Sequence, residues 1–191
     1  AARGHDSFWI DRQYGSGFNA LARAASQQAF RLVVRLLELG ADPNVELSSG
    51  RSPMDFACAS NEVEIVGAMF LFGGDPVRVS MKTGQSSLHA AAGAGAAVSV
   101  QLVLQRVYEE ALNRLKGTAA ETNFFAPPQH WSQAFLDFLV HKDQEGRTAL
   151  DYARDEGHGE VVELLEGEIE RTESLLHRWA SEKAATQYVS C

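Results

Sequence analysis

Cysteine is nearly missing from this chain: Cys58 and Cys191 are the only two in 191 residues. One sits in an apolar stretch and the other is the last residue, so no disulfide is expected and the usage suits a reducing compartment, cytoplasmic or nuclear. No apolar run approaches the roughly 20 residues that a membrane-spanning helix needs, and Ala1-Ala2-Arg3 does not read as a secretory leader. The lack of an initiator methionine leaves room for flanking domains. Cations are scarce as well, 17 Lys and Arg against 25 Asp and Glu, for a formal charge of −8. Sequence-independent binding to nucleic acid needs clustered cations that release counterions, and this balance argues against it. A protein partner with a basic or mixed-charge surface is easier to accommodate.

The spacings used by catalytic and metal sites are missing too. His5, His89, His130, His141, His158 and His177 are scattered without the i, i+4 or Cys-x-x-Cys spacing of metal ligands. Ala92-Gly93-Ala94-Gly95 follows no strand and precedes no Lys-Ser or Lys-Thr, so it is a turn rather than a phosphate loop. Nothing marks a strained nucleophile or a paired base. No catalytic residue, metal or cofactor is expected, and the chain does not read as an enzyme.

What is present is a phrase used four times: a short alanine-rich helix, a turn, a second apolar helix and a hairpin. The first copy carries Asn19, Leu21, Ala24, Ala25, Leu32, Val33, Leu36 and Leu37 and closes on Gly40-Ala41-Asp42-Pro43-Asn44. The second runs from Ser52-Pro53-Met54-Asp55-Phe56-Ala57-Cys58 through Val63, Ile65 and Val66 to Gly73-Gly74-Asp75-Pro76. Ser52 follows Asn19 by 33 positions, and self-similarity at such a period signals a stacked solenoid. The third copy, Ser86-Ser87-Leu88-His89, leads to Thr148-Ala149-Leu150-Asp151 only after 62 positions, so about one repeat's length is inserted between them.

In these residues the chain resembles the ankyrin repeat family. The resemblance implies an all-α solenoid of helix-turn-helix units with short hairpin loops: an N-terminal cap at 1–18, repeats near 19–51, 52–85, 86–147 and 148–166, and a C-terminal capping helix with tail at 167–191. Residues 1–18 have no evident repeat partner; Phe8, Trp9, Ile10 and Tyr14 are apolar enough to cover the first repeat. Val100, Val103, Val107, Ala111 and Leu115 extend the second helix of repeat three by about two turns until Gly117 breaks it. The insertion at 117–133 follows, and a helix resumes near Ser132 as N-cap. Leu165, Ile169, Leu176 and Trp179 make one face of a long terminal helix, either a cap or a seam for a second chain.

A solenoid is chiefly a binding surface. In ankyrin proteins the partner contacts hairpin tips and the exposed positions of each first helix, which here are Tyr14, Phe18, Arg23, Ser49, Arg51, Lys82, Gln85, Glu145 and Arg147. Phe124, Phe125 and Trp131 add aromatics that no repeat position explains and extend the expected interface. Asn44 stands where some ankyrin proteins are hydroxylated, but hairpin hydrogen bonding alone accounts for an Asn there. The function expected is a protein-binding module or scaffold. The alternatives are an assembly subunit forming a homodimer through the terminal helix and, more remotely, an enzyme.

Overall fold

The computed structural model describes residues 7–15, 17–118 and 129–189. The described residues are helical, with one isolated antiparallel bridge between Val79 and Ser86. After a short α1 (Ser7–Ile10), helices come in pairs: α2 (Ala20–Ser26) with α3 (Phe30–Glu38), α4 (Pro53–Ser60) with α5 (Val63–Leu71), and α6 (Ser87–Gly93) with α7 (Ala97–Thr118). An additional helix, α8 (Gln129–Leu139), precedes the last pair, α9 (Ala149–Asp155) and α10 (Gly159–Val189). Helices α2, α4, α6 and α9 pack side by side as an inner row, and α3, α5, α7 and α10 form the outer one. The all-α repeat architecture read from the sequence is the one observed. No described helix is long and apolar enough to cross a membrane.

Small residues let the inner helices approach closely. Ala25, Ala57, Cys58, Ala91, Ala92 and Ala153 are completely buried, as are the larger anchors Leu21, Met54 and Leu88. Truncating such an anchor removes burial and leaves a cavity, at a cost of about 2–5 kcal/mol. Burial also pushes the Cys58 thiol far above its usual pKa, with the Asp55 carboxylate adding to the shift, so the thiol stays protonated and inert. In the fourth repeat Arg154 takes the place of Ala25, Cys58 and Ala92, exposed and paired with Glu166 at 2.6 Å. A charged residue at that position gives the inner row a polar end, as a terminal repeat requires.

Each inner helix starts on a side-chain cap that supplies acceptors to otherwise orphaned N–H groups. The Asn19 carbonyl oxygen accepts from the Ala22 amide at 2.8 Å. Ser52 with Asp55, Ser86 with His89, and Thr148 with Asp151 make reciprocal capping boxes. Asp55 and Asp151 thus do with a carboxylate what His89 does with an imidazole. The Ser87 hydroxyl also donates to Asp55 at 2.8 Å, tying repeat three to repeat two. Burial pushes the Asp55 carboxyl above its usual pKa, against the lowering effect of the bonds from Ser52 and Ser87. His89, which alone keeps the imidazole, is buried and caps α6 through Nδ1, a structural task.

Between repeats the hairpins register on one another. Tyr14 donates its amide to Phe18, Leu47 to Arg51 and Asp143 to Arg147, each across the same short turn; Ser80 to Gln85 closes a turn one residue longer. Gly17, Gly50, Gly84 and Gly146 occupy the left-handed region at the matching place in each turn (φ +75°, +84°, +73° and +79°). Asn44 donates to the Gly73 carbonyl and accepts from the Asp75 amide, both at 2.8 Å, so its whole amide is spent on the next repeat.

Three sequence expectations need correction. Residues 12–18 are not partnerless: the turn from Tyr14 to Phe18 is the hairpin of repeat one, and Gly17 precedes Gly50 by the repeat period. Helix α7 runs through Gly117 to Thr118, since a glycine in a final turn costs too little to stop it. Helix α8 already includes Gln129, which leaves Ser132 inside the helix and buried rather than capping it. The extension of α7 beyond the normal repeat length is as expected. One unbroken helix of 31 residues serves both as the second helix of repeat four and as the terminal segment. On its apolar face Leu165 is buried, and Ile169, Leu176 and Trp179 are half-buried.

Candidate functional site

The hairpins and the exposed side of the inner helices bring most of the expected residues together in two clusters. In the first, Phe18 on the hairpin of repeat one stacks on Phe56 of α4, ring centroids 4.8 Å apart and tilted by 42°. The Arg23 guanidinium lies 5.6 Å from the Phe18 centroid, and that of Arg51 lies 5.6 Å from Phe56. Four side chains from two repeats thus form a stack with a cation at each end. Such stacking is attractive through the ring quadrupole and holds long arginine side chains in place before anything binds. Tyr14, 61% exposed, stands on the same hairpin as Phe18. Ser49 is exposed at the next tip, its hydroxyl accepting from the Arg51 amide.

The second cluster is built on Asp143 and Tyr152. The Tyr152 hydroxyl donates to Asp143 at 2.7 Å and accepts from the Gln85 amide at 2.6 Å. Arg147 lies over the Tyr152 ring, 4.1 Å from its centroid, and pairs with Glu145 and Asp155. Although burial raises the Asp143 carboxyl, bonds from the Tyr152 hydroxyl and from the Arg147 and Glu145 amides outweigh it and bring the pKa down to about 2. The carboxylate closes hairpin four and fixes Tyr152 and Gln85 at once.

This geometry carries a pH signature. Because the folded value lies below the unfolded 3.8, ionised Asp143 contributes its full stabilisation above pH 3.8 and loses it as pH falls through about 2. Asp143→Asn should lower stability at pH 7 by about 1–2 kcal/mol, discounted for solvent screening. The gap between variant and wild type should close between pH 4 and pH 2 in denaturant titrations. A gap that stayed constant with pH would contradict the assignment.

Lys82 falls between the clusters with its ammonium committed to the Leu47 and Ser48 carbonyl oxygens, 3.2 Å each. The three hairpin cations are therefore held differently: Lys82 by backbone, Arg147 by carboxylates, and Arg51 by an aromatic ring. Phe124 and Phe125, and the Trp131 side chain, lie outside the described residues. Sequence reasoning missed Phe56 and Tyr152 as surface residues. Both occupy the position after the Asp of the capping box, which in repeat one is Arg23, so the register itself carried the signal.

Charge along the chain is polarised. Residues 1–60 hold six Arg and six Asp or Glu, so the whole formal charge of −8 falls on residues 61–191. Among the described residues no group of His, Cys, Asp and Glu could hold a metal ion. A cleft of about 550 Å³ between α7, α8 and α10 is lined by Leu104, Phe135, Leu164 and Leu175 and rimmed by the Arg171–Glu168 pair. It presents no constellation of catalytic groups.

A family model described as ankyrin repeats (many copies) matches residues 5–57. Among curated proteins the chain is similar to the probable E3 ubiquitin-protein ligase XBOS33 of Oryza sativa subsp. japonica, 28% identical over 164 residues that cover 80% of this chain and 32% of that protein. It is 31% identical over 154 residues to the E3 ubiquitin-protein ligase XBAT33 of Arabidopsis thaliana, covering 80% of this chain and 29% of that one. Against the B-cell lymphoma 3 protein homolog of Mus musculus it is 39% identical over 80 residues, 41% of this chain and 18% of that protein. The chain spans about a third of the length of the two plant proteins.

Proposed function

We propose that this chain, which belongs to the ankyrin repeat family, binds another protein on the face made by its hairpins and inner helices. Ankyrin repeats generally mediate protein–protein interaction. The observation that carries the reading for this face is the preformed stack of Arg23, Phe18, Phe56 and Arg51. Arginine and aromatic side chains are where interface energy concentrates, and here they are ordered in advance by one another. Tyr152 and Arg147 supply a second, more polar contact further along the same face. The ligase activity named for the plant relatives is not part of the reading, since the match leaves about two thirds of each of them unaccounted for.

The test is capture from a native lysate with three immobilised chains: wild type, the face variant Arg51→Glu with Tyr152→Ala, and the outer-helix control Leu71→Glu. Leu71 is 86% exposed on α5, away from the hairpins. The expected result is a protein retained by wild type and control and lost by the face variant. Retention by all three would refute binding at this face.

A further inference from the structure

We infer that the partner segment seated on repeats one and two is acidic, an inference that rests on the hairpin face being the binding surface. On α2, α4 and the turn at 47–51 the exposed charges are Arg23 and Arg51, among neutral neighbours such as Ser26, Gln27, Ser49 and Ser60. The carboxylate that acts on Arg51 through space is Asp55, but it is buried and committed to the Ser52 amide and the Ser87 hydroxyl. Among the described residues Arg51 makes no ion pair. Arg51, its face stacked on the Phe56 ring, keeps its N–H edges for a planar acceptor. A carboxylate meets those edges with two parallel charge-assisted bonds, beside aromatic surface that shields them from water.

The other end of the face has the opposite sign. Glu145, Asp155 and Glu156 are exposed there, and Arg147 is occupied by the first two. Glutamates of α10 at 160, 163, 170 and 173, outside the Arg154–Glu166 and Arg171–Glu168 pairs, add to that field. An acidic segment is repelled from repeat four and drawn to repeats one and two, so the polarity selects its position. The cationic pair matters because it is a local exception on a chain of net charge −8.

The experiment is selection of random dodecapeptides displayed on phage against the full chain, followed by affinity measurement with the selected peptides synthesised. Asp and Glu should be enriched, and affinity should fall by about tenfold or more in Arg23→Glu with Arg51→Glu, and fall again with added salt. Phe56→Ala serves as an independent probe of the face, and circular dichroism verifies that each variant is folded. Peptides without acidic enrichment that still lose affinity in Phe56→Ala would overturn this inference and leave the binding face standing. Peptides indifferent to every face variant, or no enrichment over a blank surface, would overturn both.

Discussion

Replacing Gly84 by alanine should destabilise the chain by about 2–5 kcal/mol, combining the strain of a left-handed residue with displaced backbone. For a chain of this size that is a fall of ~4–20 °C in the unfolding midpoint. Gly84 has φ +73°, and a Cβ there would lie 2.8 Å from the Gln144 amide nitrogen and 3.1 Å from two backbone atoms of Asp143. The collision falls at the junction of hairpins three and four, where the Gln144 amide donates to Thr83 and the His141 ring bonds to the Gly84 carbonyl. Backbone atoms cannot swing aside as a flexible side chain can. Gly146 is the control: it is left-handed in the same way, φ +79°, but an added Cβ meets nothing within 4 Å. Gly146→Ala should cost about 1–2 kcal/mol, the conformational part alone. Equal losses for both variants, measured by urea unfolding, would show that the two hairpins are not in contact in solution.

The repeats were legible because their signals are local and periodic. The 33-residue spacing of Asn19 and Ser52, the small residues of the inner helices and the Asp-Pro hairpins each report a geometry decided within one repeat. The shared capping task of Asp55, His89 and Asp151 was less legible, since two carboxylates and an imidazole look unrelated in sequence while each can accept the same N–H. The hairpin at 12–18 was hidden for a related reason: its apolar residues matched a cap as well as a turn, and only Gly17 at the repeat distance from Gly50 told them apart. Phe56 and Tyr152 escaped because an aromatic inside an alanine-rich helix reads as core. Aligning the repeats removes that ambiguity, since both rings fall at the position that Arg23 holds on the exposed side of repeat one. The neutralisation of Arg147 by Asp155 and the commitment of Lys82 to the preceding hairpin are likewise products of assembly.

Phe56→Ala should weaken binding of the captured partner by about 2 kcal/mol or more, roughly 30-fold, as expected for an aromatic at the centre of an interface. Its ring is where the two repeats meet: Phe18 packs on it at 4.8 Å and Arg51 at 5.6 Å. Truncation would free both neighbours, so the loss includes the order they had before binding as well as the contact itself. Phe56 is half-buried and packs on the hydrophobic core, so some loss of stability accompanies the change, expected at about 1–2 kcal/mol. Phe56→Leu separates the two effects. Leucine retains apolar packing against the core but offers no ring face to the guanidinium, a contribution of about 0.5–1 kcal/mol at an exposed site. Calorimetric titration should therefore rank wild type above Phe56→Leu and Phe56→Ala last, while unfolding experiments place wild type and Phe56→Leu close together. If Phe56→Leu bound as tightly as wild type, the arginines would owe their position to the hairpin backbone rather than to the rings, and Arg51 alone would become the residue on which the interface depends.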